Sequence, residues 1–75
     1  MNQSPYELLL SLKHEGTVEE YREKFKLYAG LLRGRKPEYL KGIFLNGLKD
    51  VVRAELKLHP VNSLPKLMDY AQRID

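Results

Sequence analysis

The chain has 75 residues, with 13 lysine or arginine against 10 aspartate or glutamate, a formal net charge of +3, and no cysteine. That length allows one domain, which buries only roughly 60% of the surface its unfolded chain exposes, so a core this small calls for an additional staple. The lack of cysteine excludes disulfides and thiolate zinc sites, and His14 and His59 lie far apart without local ligand spacing. Self-association is the staple that remains.

In chain order, the punctuation predicts an all-α bundle of about five short helices in a single domain, residues 1–75, with 1–3 reading as a boundary. Ser4-Pro5 starts the first helix, serine as cap and proline at the first helical position. It is expected to run through Leu8, Leu9, Leu10 and Leu12 to about Lys13 and to close at Gly16. Apolar on several faces, it is a helix either buried all round or meeting a partner. Thr17 then opens a second helix through a capping box with Glu20. Val18, Tyr21, Phe25, Tyr28 and Leu32 recur at spacings of three and four, one continuous core stripe. Glu20 and Lys24 pair on its wet side, and Arg33 sits near its end before Gly34 closes it.

Pro37 begins a third helix that stops near Gly47, with Leu40, Ile43 and Phe44 inward and Tyr39 and Leu45 pointing elsewhere. Gly42 in its middle costs about 1 kcal/mol relative to alanine and is read as room for a close helix crossing. Asp50 is expected to cap a fourth helix with Val51, Val52, Leu56 and Leu58 inward, ended by Pro60. Asn62 or Ser63 caps a fifth, whose stripe is Leu64, Leu67, Met68, Ala71 and Ile74, with Asp69 and Arg73 pairing outside. The stripe is still periodic at Asp75, as in a piece of a longer chain.

Catalytic chemistry is not legible. There is no nucleophile-elbow glycine–serine pattern, no His-Glu-x-x-His and no complete phosphate loop: Gly30 to Gly34 lacks the following Lys-Ser/Thr. Adjacent Glu19 and Glu20 do not face each other on a helix, and a capping role accounts for both. No catalytic residue, metal site, cofactor or small-molecule substrate is therefore expected. His14 and His59 are read as imidazoles beside helix C-termini, with a metal or pH-switch role as the alternative. The charges are interspersed; Arg33, Arg35 and Lys36 come nearest to a basic patch, either a solvated turn or a contact for phosphate backbones. Tyr21, Phe25 and Tyr28 have core spacing, against the alternative of base stacking. No apolar run approaches the ~20 residues a membrane span needs, so the chain is expected inside the cell, not in a membrane.

Three stretches, GTVEEYREKFKLYAGLL, IFLNGLKDVVRAELKLH and SLPKLMDYAQRID, together resemble the Gag capsid region of gypsy-class long-terminal-repeat retrotransposons, over residues 6 to 75 or so. The resemblance is to the C-terminal half of capsid. Glu15, Gly16, Tyr21, Lys24 and Phe25 stand where the major homology region of retroviral capsids carries its glutamine–glycine pair, tyrosine and arginine–phenylalanine pair. Glutamate replaces the glutamine, lysine the arginine, and the spacer is shorter.

That resemblance implies a structural module that dimerises and joins its neighbours in a capsid-like particle, cytoplasmic in location. It implies a nuclear location if the module has been domesticated as a regulator, as in SCAN-type dimerisation domains. It points to the third helix as the two-fold contact, through Tyr39, Gly42 and Leu45. Tyr6, Leu9 and Leu10 of the first helix form a competing surface, and Glu15-Gly16 is a hinge for exchanging that helix. RNA would be held weakly or by other regions of Gag. The reading from a different class is a small basic domain that binds RNA through Arg33, Arg35 and Lys36.

Overall fold

A computed structural model describes residues 4–32, 36–59, 61 and 63–74, and among these it contains helices and connecting segments only. The helices are α1 (Pro5–Ser11), α2 (Val18–Ala29), α3 (Pro37–Gly47), α4 (Asp50–Lys57) and α5 (Leu64–Ile74). Three of the starts are made by hydroxyls. Ser4 Oγ accepts from the Glu7 amide at 3.2 Å, Thr17 Oγ1 from the Glu20 amide at 3.1 Å, and Ser63 Oγ from the Lys66 amide at 3.4 Å. Each satisfies an amide left over in a first turn, worth about 1 kcal/mol. The Glu20 carboxylate turns back to accept from the Thr17 hydroxyl at 3.3 Å, so Thr17 and Glu20 do lock the start of α2.

Several element ends differ from expectation. α1 stops at Ser11, because Leu12 is extended (φ −68°, ψ 133°) and the chain runs open to Thr17. Gly16 therefore lies beyond the helix and does not close it. α2 ends at Ala29, with Gly30 still right-handed (φ −64°, ψ −20°). The Leu31 and Leu32 amides then bond carbonyls three residues back, a tightened exit, and the expected stop at Gly34 lies outside the described residues. Asp50 is the first residue of α4, not its cap; Lys49 holds the cap position, and the Asp50 carboxylate pairs with Arg53.

The core is one cluster. α2 supplies Val18, Tyr21 and Phe25, all at most 2% exposed; α5 supplies Leu67, Met68 and Ala71; α4 supplies Val52 and Leu56. Leu9 of α1, Phe44 of α3 and Leu48 between α3 and α4 complete it. Phe25 and Phe44 meet edge to face at 5.1 Å and 85°, with Tyr21 beside both rings. The α2 and α5 stripes thus face inward as read. Val51 and Leu58 do not: they are 69% and 71% exposed. An eight-residue helix lying on the bundle buries one side only, and Val52 and Leu56 occupy it.

The outer pairing also differs. Asp69 reaches Arg22 of α2 at 2.8 Å, and Arg22 also donates to Gln72 Oε1 at 2.9 Å, tying α2 to α5 across the surface. Asp69 was expected to pair with Arg73, but the neighbouring helix offers a guanidinium at ion-pair distance. With Asp69 largely in water, Asp69→Asn is expected to lower stability by less than about 1 kcal/mol and by less still in high salt. Urea titrations at two salt concentrations check this.

Candidate functional site

The segment from His14 to Phe25 closes around the far end of α3. A helix leaves its last four carbonyls without intrahelical partners, and here all four find one. Phe44 O accepts from the Tyr21 hydroxyl at 2.9 Å and Leu45 O from the Leu48 amide at 3.2 Å. Asn46 O accepts from Arg53 Nη1 at 3.4 Å and Gly47 O from the His14 amide at 2.9 Å. Two of the four donors come from the His14–Phe25 segment and one from α4.

The same segment also reaches the start of α4. The Lys49 amide donates to His14 Nδ1 at 3.3 Å, and Lys49 Nζ donates to the Gly16 carbonyl at 3.4 Å. His14 is 4% exposed and stacks on Tyr21 with ring centroids 6.0 Å apart. The reading of His14 at the C-terminus of α1 is corrected: α1 ends at Ser11, and the His14 ring instead meets the start of α4. His59, by contrast, is exposed and lies against Tyr70 at 5.1 Å.

Tyr21 is the centre of this junction. Burial pushes its phenol well above the ordinary value of 10.0, because a phenolate there would lose its hydration. The folded form favours the neutral ring, so its contribution to stability is complete below pH 10 and declines as pH rises above that value. Tyr21→Phe is expected to be less stable at neutral pH by roughly 0.5–1.5 kcal/mol, the net worth of one hydrogen bond. Its stability should also fall less steeply above pH 10 than that of the parent chain, which paired urea titrations would show.

Gly47 is buried, and the ring lies directly on it. A Cβ at Gly47 would stand 2.8 Å from Tyr21 Cζ and 2.9 Å from the Leu12 carbonyl oxygen. No side chain fits there without displacing one of them.

Of the residues singled out in the sequence, Tyr21 and Phe25 are core, while Glu15, Gly16 and Lys24 are exposed on the approach to α2 and along it. Leu9 is corrected from a contact surface to the core, at 1% exposed, because it is the face of α1 that meets α2 and α3. Leu10 remains outside at 45%, and Tyr6 is half-buried. Tyr39 is 62% exposed, and Leu45 is half-buried against the core cluster. Among the described residues Gly42 makes no helix crossing: a Cβ there would meet nothing within 4 Å. Lys36 is exposed at the N-cap of α3; Arg33 and Arg35 lie outside the described residues.

Sequence reasoning took Gly47 as a stop signal and His14 as an imidazole at a helix end, with a metal or pH-switch role as the alternative. The available clue was that Gly47 sits inside the IFLNGL stretch, directly before the apolar Leu48 and three residues after Phe44.

Among the described residues no three His, Asp or Glu side chains could hold a metal ion, and no helix is long and apolar enough to cross a membrane. A cleft of about 370 Å³ is open and lined by Arg22, Asp69, Gln72 and Arg73, with Arg22 already held by its two partners. Comparison of the chain with known protein families, curated proteins and solved structures gave no match. The geometry around Tyr21 is that of a junction that ties the end of α3 and the start of α4 to the approach to α2.

Proposed function

We propose that the chain is a self-associating structural module of the Gag capsid type, with a capsid C-terminal-domain-like arrangement, pairing through α3. The observation that carries this reading is the outer side of α3. Tyr39 is 62% exposed, an aromatic ring with no structural role in the bundle core. Gly42, one turn further on, leaves open space in which a second backbone can approach. Leu45 lies beyond it, and α1, with Leu10 outside, packs beside α3. A two-fold contact uses one such patch twice, and exposed aromatic anchors contribute most at contacts of this kind. In this reading the His14–Phe25 segment fixes the end of α3 and so the direction of the helix that pairs.

Sedimentation equilibrium over a concentration series from micromolar to millimolar tests it. The expected result is reversible dimerisation, weakened about tenfold or more by Tyr39→Ala, since truncating a central aromatic costs more than about 1 kcal/mol. Circular dichroism of that variant should be unchanged, because the ring is outside the core. A chain that stays monomeric throughout would overturn the proposal. RNA retention that falls steeply with salt and is abolished by charge reversal at Arg33, Arg35 and Lys36 would favour the nucleic-acid reading in its place.

A further inference from the structure

The outer face of α4 carries an apolar stripe that neither the core nor the α3 contact uses. Val51 is 69% exposed and Leu58 71%, with Ala54 exposed between them. At 3.6 residues per turn the three lie within about 60° of one another around the helix axis, roughly opposite Val52 and Leu56. Valine and leucine left mostly in water are normal when scattered singly. Two of them spaced seven apart with a small residue at the middle form a seam.

The charges beside the seam say what fits it. Asp50, which pairs with Arg53 through one carboxylate oxygen and is otherwise in water, and Lys57 flank the same edge, four residues before Ala54 and three after it. When two copies of α4 run antiparallel about a two-fold axis at Ala54, like edges meet and opposite ends align. Val51 then packs on Leu58 of the second copy. Asp50 falls beside Lys57 of the second copy, with an axial offset of about 1.5 Å, one residue's rise. Ala54 at the crossing lets the axes approach to roughly 8 Å, the near end of the usual range. The seam is complementary to itself in both shape and charge.

We propose that α4 is a second self-contact surface, pairing antiparallel with α4 of another copy through Val51, Ala54 and Leu58. An eight-residue helix is too short to bury the ≈ 800 Å² per partner of a stable complex. The contact is therefore weak alone and acts between copies brought close by other means. Combined with the α3 contact proposed above, it gives each chain two distinct two-fold surfaces, which join copies into extended arrays and not closed pairs. That consequence rests on the α3 reading; the α4 contact itself does not.

The absence of cysteine makes the test clean. Ala54→Cys is expected to form a disulfide-linked dimer under mild oxidation at high protein concentration, faster than Glu23→Cys on exposed α2. A mixture of Val51→Cys and Leu58→Cys should give the mixed dimer in preference to either homodimer. Lys57→Asp should slow Ala54→Cys linking about tenfold, through loss of two symmetric ion pairs, and adding Asp50→Lys should restore it. The linking should persist in a Tyr39→Ala background once the concentration is raised, so loss of the α3 contact can be told apart from loss of this one. Ala54→Cys linking no faster than Glu23→Cys in chains with unchanged circular dichroism, or no preference for the mixed dimer, overturns the proposal and gives the stripe to a different occupant.

Discussion

Phe25→Ala is expected to abolish cooperative folding. Phe25 is fully buried at 0% exposed and makes the edge-to-face contact with Phe44 that joins α2 to α3. Truncating a buried phenylalanine removes its transfer free energy and leaves a cavity, together about 3–5 kcal/mol. Domains are stable by about 5–15 kcal/mol, and one of 75 residues belongs near the bottom of that range. The variant should therefore melt broadly or without a transition in circular dichroism. Tyr39→Ala serves as the control, an aromatic of similar size outside the core. A Phe25→Ala chain with the parent's sharp transition would mean that the α2 stripe does not support the core.

Gly47→Ala should come next in effect, for the opposite reason. It adds one methyl group where the Tyr21 ring and the Leu12 carbonyl already stand within 2.9 Å of its position. Overfilling a packed site costs about 1–3 kcal/mol, and here the displaced groups also hold the α3 end together. The atom nearest the new methyl is the Tyr21 hydroxyl, so Tyr21→Phe removes part of the clash. The double variant should be more stable than the sum of the two single effects allows, whereas groups that do not touch would add. Urea titration of the four chains gives the coupling directly; strict additivity would place the ring elsewhere.

What could be read in the sequence follows from where the governing interactions act. Thr17 and Glu20 are three residues apart, and the threonine side of their cap is present as read, with the Glu20 carboxylate accepting from the Thr17 hydroxyl. The α2 and α5 stripes are periodic over 12 and 11 residues, long enough for the inward face to be unambiguous. α4 has only eight residues, and on so short a helix Val51 and Val52 read alike; only the bundle chooses which one is covered. The end of α1 was misjudged because the force that stops it is not local. The His14 amide is drawn to Gly47 O and its ring to the Lys49 amide, partners more than 30 residues away. Arg22 likewise finds Asp69 and Gln72 across α5, a pairing no spacing rule contains. Tyr21 and Phe25, placed in the core by their spacing, are buried there, and what the spacing does not contain is their contact with Phe44 and the fit of Tyr21 over Gly47.

Because two of the terminal carbonyls of α3, those of Phe44 and Gly47, and the Lys49 amide at the start of α4 are held by Tyr21 and His14 from the other half of the chain, these ends cannot open without freeing that half too. In hydrogen exchange this places the amides of His14 and Lys49 apart from ordinary loop amides. Loop amides exchange through local fluctuations, whereas these should be released only with the whole domain. Their protection should track global stability as denaturant is added, and the junction between α3 and α4 should behave as the slowest-opening part of the molecule even though it lies outside any helix.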